Sequence, residues 1–524
     1  MEPLLSAIVG DMVSRALTMV INRYMQPRGA EHKLQRLQRL LLRIDAMVEE
    51  AEGRHITNQA MLRQLEMLRQ GMYRGHYMLN SFRCRGNATA GSGGGGGGDD
   101  DEVSGGRRRG DISRLGSARR HIHFLSRFRS STESPEDTAL DSESVKRLDK
   151  MLEGIEAMIG DMGEFAVFLK GYPRICRQPY SVHLFLDKVM FGRQIEKEKI
   201  INFLLQPAAA TSDGDHGVLP IVGSTRVGKS TLVEHVCLDD RVRSHFASIV
   251  LFTGDDLCTG NIATLRGSRV IKHQDDLNAP SPGRSLAVIE LTGDIDVETW
   301  RSLYSSARSK MGHGSKIIIT SRSEKIAALG TTHALRLKPL AQEAYWCLFK
   351  ALAFGGANPD DQPKLASLAM EIAALLNCSF IGANVVGSLM RDNLNVHFWL
   401  RLLQSLRDFT SKHLLVFGEH PNDLMDKGRR VCMWRMSRSQ IDVVICGVYQ
   451  RSSSSTSEHD IPKLTSKDVL AASVPDQGSF KALVWRSNIP PYHMYLVDCV
   501  SQKVGCTSKK RPRHTRVHYN RIHF

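Results

Sequence analysis

The chain has 524 residues, 42% of them hydrophobic, and a formal net charge of +15. At roughly 100–200 residues per domain, this length predicts about three domains with ordinary globular cores. No run approaches the ~18 consecutive apolar residues of a membrane span, so the sequence argues against one. The ten cysteines form no CxxC pair and no cysteine–histidine set at zinc spacing, which favours a reducing intracellular compartment.

The first 170 residues have the pattern of a helical bundle. Apolar residues recur at three- and four-residue spacing over residues 3–25, 34–51, 58–82 and 145–162. Each of these segments carries one apolar stripe and needs a partner to bury it. We therefore predict a four-helix bundle over residues 1–170.

An insertion rich in glycine and arginine, at about 84–143, separates the third and fourth predicted helices. It contains six consecutive glycines, Gly93–Gly98, and eight arginines within residues 106–130. Such composition offers nothing to bury, so the insertion is expected to be disordered. The basic tail, residues 508–524, is interpreted in the same way as a solvated segment, with nuclear import through Lys509–Arg513 as the alternative.

From about residue 186 to 335 the pattern changes to short apolar runs that alternate with helix-length segments. The runs cover residues 218–222, 248–252, 286–291 and 316–320. This alternation predicts an α/β domain with a parallel sheet. Residues 336–410 follow as a helical subdomain, in which residues 387–406 also show helical spacing. Residues 411–524 contain β-like runs and the basic tail, and we assign them no fold.

The clearest chemical motif is a phosphate-binding loop. It consists of Gly223, Ser224, Thr225, Arg226, Val227, Gly228, Lys229, Ser230 and Thr231. The loop matches GxxxxGK[ST] completely, and it lies between a predicted strand and a predicted helix. Its backbone N–H groups and the N-terminus of the following helix favour binding of phosphate. Lys229 is expected to place its charge on the β- and γ-phosphates, and the Ser230 hydroxyl is expected to bind Mg²⁺.

Two further residues are candidates for the same site. Glu290 is the penultimate residue of the run 286–291 and would hold Mg²⁺ with Ser230, acting as the catalytic carboxylate; the alternative is an incidental residue on a structural strand. Arg322 follows the run 316–320. At the carboxyl end of a parallel strand it would face the nucleotide and sense a γ-phosphate. The alternative for Arg322 is a surface salt bridge.

Five ordered blocks between about residues 190 and 407 resemble the NB-ARC module of plant disease-resistance proteins. They are Phe191–Arg193 with Glu196, the phosphate loop, 241–256, Gly314–Arg322, and 335–349. The resemblance implies ADP or ATP with Mg²⁺ as cofactors, the residues Phe191, Gly192 and Arg193 against the adenine, and Arg322 as the sensor arginine. The first 170 residues are similar to the coiled-coil bundle of the Rx type.

The sequence departs from that family at several positions. Ser379–Gly382 aligns with the GLPL motif without its proline, and residues 72–79 lack the acidic residues of the bundle's third helix. No MHD-like motif and no leucine-rich repeat are found. We therefore describe the resemblance as one to a truncated receptor, or to one without recognisable repeats.

Three functional hypotheses follow. The first is a nucleotide-operated switch in plant immunity, at most a slow ATPase. The second is a degenerate interaction protein that serves full receptors as a helper, decoy or regulator. The third, a nucleic-acid-binding protein, is disfavoured because few aromatic residues accompany the basic segments. Expected partners are other immune receptors or signalling proteins, bound through the bundle, with self-association left open. The cytoplasm is favoured over the nucleus.

Overall fold

The structure is a computed structural model that divides into two compact units, Met1–Arg177 and Gln178–Phe524. It describes residues 30–90, 136–173, 190–207, 216–252, 269–273, 283–291, 294–433, 435–436, 441–452, 461–471, 474–475, 478–487 and 492–503. The predicted helix over 3–25, the glycine and arginine runs of the insertion and the basic tail lie outside these residues. Each unit is described by itself below.

The first unit is helical. Its described helices are α1 (30–52), α2 (Gln59–Ala90), α3 (Glu136–Gly160) and α4 (Met162–Leu169). Their apolar stripes are buried, as Leu41, Leu65 and Ile155 show. A Cβ atom at Gly75 would lie only 2.5 Å from Leu41 Cδ2, so the glycine permits close contact between α1 and α2.

The helix boundaries differ from the predicted ones. Helix α2 runs beyond Phe82 to Ala90, and α3 begins at Glu136, so both enter the segment 84–143 that was expected to be disordered. Extending an existing helix is far easier than nucleating one, which explains the added turns. The predicted helix 145–162 is part of α3, which ends at Gly160 and is followed by α4.

The second unit begins with the predicted α/β domain. Its six-stranded sheet has the order β3-β2-β4-β5-β1-β6. The strands are β1 (Gly217–Gly223), β2 (Ser248–Phe252), β3 (Arg269–His273), β4 (Ser285–Glu290), β5 (Lys316–Ser321) and β6 (Leu335–Leu337). All neighbouring strands pair in parallel except β3, which is antiparallel to β2. The parallel α/β fold predicted from the sequence is confirmed.

Helices cover both faces of this sheet. They are α5 (Gln194–Leu205), α6 (Lys229–Cys237), α7 (Asp240–His245) and α8 (Val297–Lys310). Successive residues of β1 pack on opposite faces of the sheet. Ile221 lies in the same hydrophobic cluster as Leu232 of α6, and Val222 lies in the same cluster as Trp300 of α8. Burial on both faces accounts for the continuous apolar runs in the sequence.

A helical subdomain follows, as expected. Its helices are α9 (Gln342–Phe354), α10 (Pro363–Leu375), α11 (Phe380–Asp392), α12 (Val396–Phe417) and α13 (Pro421–Asp426). The Tyr345 hydroxyl donates to the Ser379 carbonyl oxygen at 2.9 Å, which joins α9 to the start of α11. The predicted boundary at residue 410 falls inside α12, because the buried face of this helix continues through Thr410 and His413.

The segment that we left unassigned contains a second sheet, with the order β7-β8-β11-β10-β9. Its elements are β7 (Val431–Cys432), β8 (Ile441–Ser452), β9 (Leu464–Thr465), α14 (Ser466–Ala471), β10 (Gly478–Arg486) and β11 (His493–Lys503). Residues Val443, Val469 and Val497 lie in its core. We call β7 to β11 with α14 the C-terminal sheet. Within the described chain, no helix has the length and apolar character needed to cross a membrane.

Candidate nucleotide-binding site

The loop between β1 and α6 has the backbone of a phosphate-binding loop. Gly228 has a φ of 94° and Arg226 a φ of 58°, both in the left-handed region. Gly223 allows β1 to approach β6, since a Cβ atom there would lie 2.7 Å from the Leu337 carbonyl oxygen. Glycine fits the positive φ at residue 228 and the close approach at residue 223 without steric cost.

Lys229, the first residue of α6, folds back over this loop. Its Nζ atom donates to the carbonyl oxygens of Gly223 and Ser224, both at 2.9 Å. Burial lowers the pKa of Lys229; the Glu290 carboxylate opposes this effect, and the Arg322 charge adds to it. A phosphate beside the ammonium group would favour its charged form. The position suits a lysine that binds a phosphate anion.

The two predicted magnesium ligands are in contact. The Ser230 hydroxyl donates to Glu290 Oε1 at 2.5 Å. The hydroxyl comes from the first turn of α6, and the carboxylate from the last residue of β4. Mg²⁺ prefers oxygen ligands and is commonly bound by one or two protein groups together with phosphate and water. The donor set therefore fits Mg²⁺ beside a phosphate loop.

Arg322 lies at the same edge of the sheet. It directly follows β5, and its Nη1 atom donates to the Thr225 hydroxyl oxygen at 3.4 Å. Strand β5 lies between β4 and β1 in the sheet. The guanidinium is thus brought to the phosphate loop across a long sequence separation, as expected of a residue at the carboxyl end of a parallel strand.

Each of the three residues 191–193 has a different structural role. Phe191 lines the cavity at the phosphate loop. Gly192 has a φ of 70° and makes the turn before α5. Arg193 is 4% exposed, and its guanidinium donates to the carbonyl oxygens of Lys338 at 2.6 Å and Val227 at 3.4 Å. Arg193 therefore holds the phosphate loop to the chain after β6.

These residues surround one cavity of about 700 Å³. The predicted residues that line it are Phe191, Thr225, Arg226, Gly228, Lys229, Ser230, Thr231, Glu290 and Arg322. Five other predicted residues, Gly192, Arg193, Gly223, Ser224 and Val227, are described but are not part of the lining. Gly223 and Ser224 nevertheless contribute through the carbonyl oxygens that hold Lys229.

Part of the cavity lining lies outside the motifs that the sequence displays. Phe380 and Ile381, at the start of α11, belong to the cavity wall; their alignment with the GLPL motif was the available signal. Trp485, Arg486 and Tyr495 also line the cavity. They lie on the C-terminal sheet, and the sequence contains no local pattern that links them to a loop more than 250 positions earlier.

Two family models match the chain. Residues 8–118 match the Rx N-terminal domain, and residues 193–358 match the NB-ARC domain. The second match contains the phosphate loop, Glu290 and Arg322. The chain therefore contains a segment that matches the NB-ARC domain, preceded by one that matches the Rx N-terminal domain. The NB-ARC match shows nucleotide binding as the property of this module, and its position agrees with the cavity.

The chain is also similar to known plant proteins. The chain is 27% identical over 264 residues to disease resistance protein RGA2 of Solanum bulbocastanum, a match that covers 47% of this chain and 26% of that protein. It is 26% identical over 234 residues to putative disease resistance RPP13-like protein 1 of Arabidopsis thaliana, a match that covers 42% of this chain and 22% of that protein. These matches span about a quarter of the length of the relatives.

A solved structure, that of Drosophila ORC bound to DNA, is similar over 44% of this chain and 64% of the solved chain, with 11% identity and a TM-score of 0.24.

Proposed function

We propose that this NB-ARC protein is an ADP/ATP-binding molecular switch in plant innate immunity. The observation that carries the proposal is the convergence of Lys229, the contacting pair Ser230 and Glu290, and Arg322 on one cavity. The names of its relatives, which are disease resistance proteins, support the role in defence.

The site residues have separate tasks in this proposal. Loop N–H groups and the N-terminus of α6 bind the phosphates, and Lys229 neutralises their charge. Arg322, held at Thr225, places a cation at the phosphate end of the cavity. A switch requires contacts that differ between two ligands. A guanidinium that contacts the γ-phosphate distinguishes ATP from ADP in this way.

Ser230 and Glu290 would hold Mg²⁺, which supplies charge neutralisation between phosphate oxygens when it is bound. Glu290 is exposed to the cavity, so its carboxylate is available to the metal or to a metal-bound water. The function that we propose depends on nucleotide exchange, with ATP hydrolysis at most slow. The family and relative matches do not favour the alternative of a degenerate helper, decoy or regulator.

The N-terminal helical unit is proposed to contact other immune receptors or signalling proteins, and self-association belongs to the same proposal. The cytoplasm, with the nucleus as the second compartment, is the proposed location. Exposed apolar side chains such as Val167 and Phe168 on α4, 67% and 61% exposed, support a protein contact.

The test is to purify the full chain, denature it and identify any released nucleotide by liquid chromatography. ADP or ATP is expected from the wild type and not from Lys229→Ala. Lys310→Ala, which removes an exposed lysine from the end of α8, is the matched control and should retain nucleotide. A well-folded wild type that releases no nucleotide and binds none with Mg²⁺ would exclude the switch.

A further inference from the structure

The C-terminal sheet packs directly on the helix that follows the phosphate loop. His493 Nε2 lies 3.5 Å from Glu234 Oε2, and both side chains are buried. Tyr495 on the same strand lies beside Thr231, whose side chain lowers the pKa of the tyrosine. Side chains two apart on a strand share a face, and those three apart on a helix also share a face. One face of β11 therefore lies along one face of α6.

An aromatic pair extends this contact into the nucleotide cavity. Trp485 and Tyr495 are opposite each other in the β10–β11 ladder. Their rings are stacked, with centroids 5.4 Å apart and an interplanar angle of 24°. Both residues line the cavity. Burial raises the pKa of Tyr495, against the opposing effects of Thr231 and Arg226, so its hydroxyl stays protonated and can donate.

The position of Tyr495 identifies the part of the ligand that it faces. Thr231 is in the first turn of α6, where backbone N–H groups and the helix dipole favour phosphate. A hydroxyl beside Thr231 is therefore at the phosphate end of the cavity. Arg226 of the phosphate loop acts electrostatically on the same tyrosine, which places Tyr495 between the loop and the first turn of α6.

Arg486, the last residue of β10, adds a positive charge to the wall. Among the described residues the Arg486 side chain forms no ion pair, in contrast to Lys325 and Arg336, whose charges are paired on the surface. Among the described residues, five cationic ones line the cavity, namely Arg226, Lys229, Arg322, Arg391 and Arg486, against one carboxylate, Glu290. A concave site with this excess of positive charge attracts polyanionic ligands.

We infer that the C-terminal sheet completes the nucleotide site: Tyr495 binds the phosphate end of the adenine nucleotide, and Arg486 adds positive charge to the cavity wall that attracts it. This inference rests on the proposed function and extends it to a segment outside the NB-ARC match, which ends at residue 358. The phosphate loop and the C-terminal sheet then share one ligand. Nucleotide binding consequently stabilises the docking of β11 on α6, and loss of that docking weakens nucleotide binding.

The experiment measures dissociation constants for ADP and ATP with Mg²⁺, by calorimetry on the full chain. Arg486→Met removes the charge and keeps the aliphatic stem, and an increase of about tenfold or more is expected. Tyr495→Phe keeps the ring stack and removes the hydroxyl, with an expected increase of about three- to tenfold. Lys481→Met, which removes an exposed cation from the same strand β10, is the matched control and should bind as the wild type does.

The outcomes separate this inference from the proposed function. If the wild type binds nucleotide, Lys229→Ala does not, and both C-terminal variants bind like Lys481→Met, the inference is overturned and the proposed function stands. If the wild type binds no nucleotide, both are overturned. Circular dichroism and thermal unfolding of each variant guard against misfolding, and Arg486→Lys should recover most of the affinity if the charge is what matters.

Discussion

The Ser230 hydroxyl donates to the Glu290 carboxylate at 2.5 Å, across 60 positions of sequence. This contact joins the phosphate loop after β1 to the end of β4, two strands that are separated in the sheet by β5. It places a carboxylate at the position proposed to bind the metal, although a glutamate stands where an aspartate is usual. The longer side chain reaches Ser230 from the last residue of its strand.

Glu290→Gln tests the metal role of this pair. The amide keeps the size of the side chain and removes its charge, so the affinity for Mg²⁺–ATP should fall roughly tenfold. Binding of ADP in the presence of EDTA should change little. The measurement is a titration of each nucleotide with and without Mg²⁺. Glu298→Gln, at an exposed residue paired with Arg301, is the control. An equal loss with and without Mg²⁺ would contradict metal binding by Glu290.

Local patterns predicted much of the fold. The strand at 218–222 was found because a buried parallel strand is a continuous apolar run, and the phosphate loop because its spacing is specific. A break was missed within 387–406, which forms parts of α11 and α12. Asn395 caps α12, since its side-chain oxygen accepts from the backbone N–H groups of His397 and Phe398. Such an N-cap begins a new helix without changing the spacing of the apolar residues around it.

Long-range contacts were the part that the sequence did not predict. Tyr495 and Trp485 belong to the cavity wall only because β10 and β11 pair and then pack on α6. Tertiary packing of this kind is not encoded in the period of either strand. The role of Arg193 was missed for the same reason, because the Lys338 carbonyl oxygen that it binds is 145 positions away.

Arg322→Ala should change the selectivity between nucleotides. A guanidinium directed at a γ-phosphate contributes to ATP binding and little to ADP binding, and a charge-assisted hydrogen bond is worth about 1.5–3 kcal/mol. We expect ATP affinity to fall by about tenfold or more relative to ADP affinity, measured by competition of the two nucleotides on the same protein. Arg336→Ala, which removes an exposed partner of Glu324, should preserve the wild-type ratio. Equal losses for both nucleotides would show that Arg322 does not sense the γ-phosphate.

Arg193→Lys should lower the stability of the folded protein rather than remove a direct contact with the nucleotide. The buried guanidinium serves Glu196 and two backbone carbonyl oxygens at once, and a single ammonium group cannot reproduce that geometry. The free energy of unfolding should fall by about 1–3 kcal/mol, measured by urea titration followed by circular dichroism. Arg301→Lys, at an exposed arginine of α8, provides the comparison. Unchanged stability together with lost nucleotide binding would instead indicate direct ligand contact by Arg193.

His493→Ala should loosen the C-terminal sheet from the nucleotide-binding domain. The imidazole contacts Glu234 where both side chains are buried, at 4% and 9% exposure, and losing such a contact costs about 1–3 kcal/mol. The thermal unfolding midpoint should therefore fall. Because a ligand stabilises the folded state that binds it, saturating ADP should recover part of the loss. His397→Ala, at an exposed position of α12, is the control. Equal midpoints for the two variants would show that the contact between β11 and α6 contributes nothing to stability.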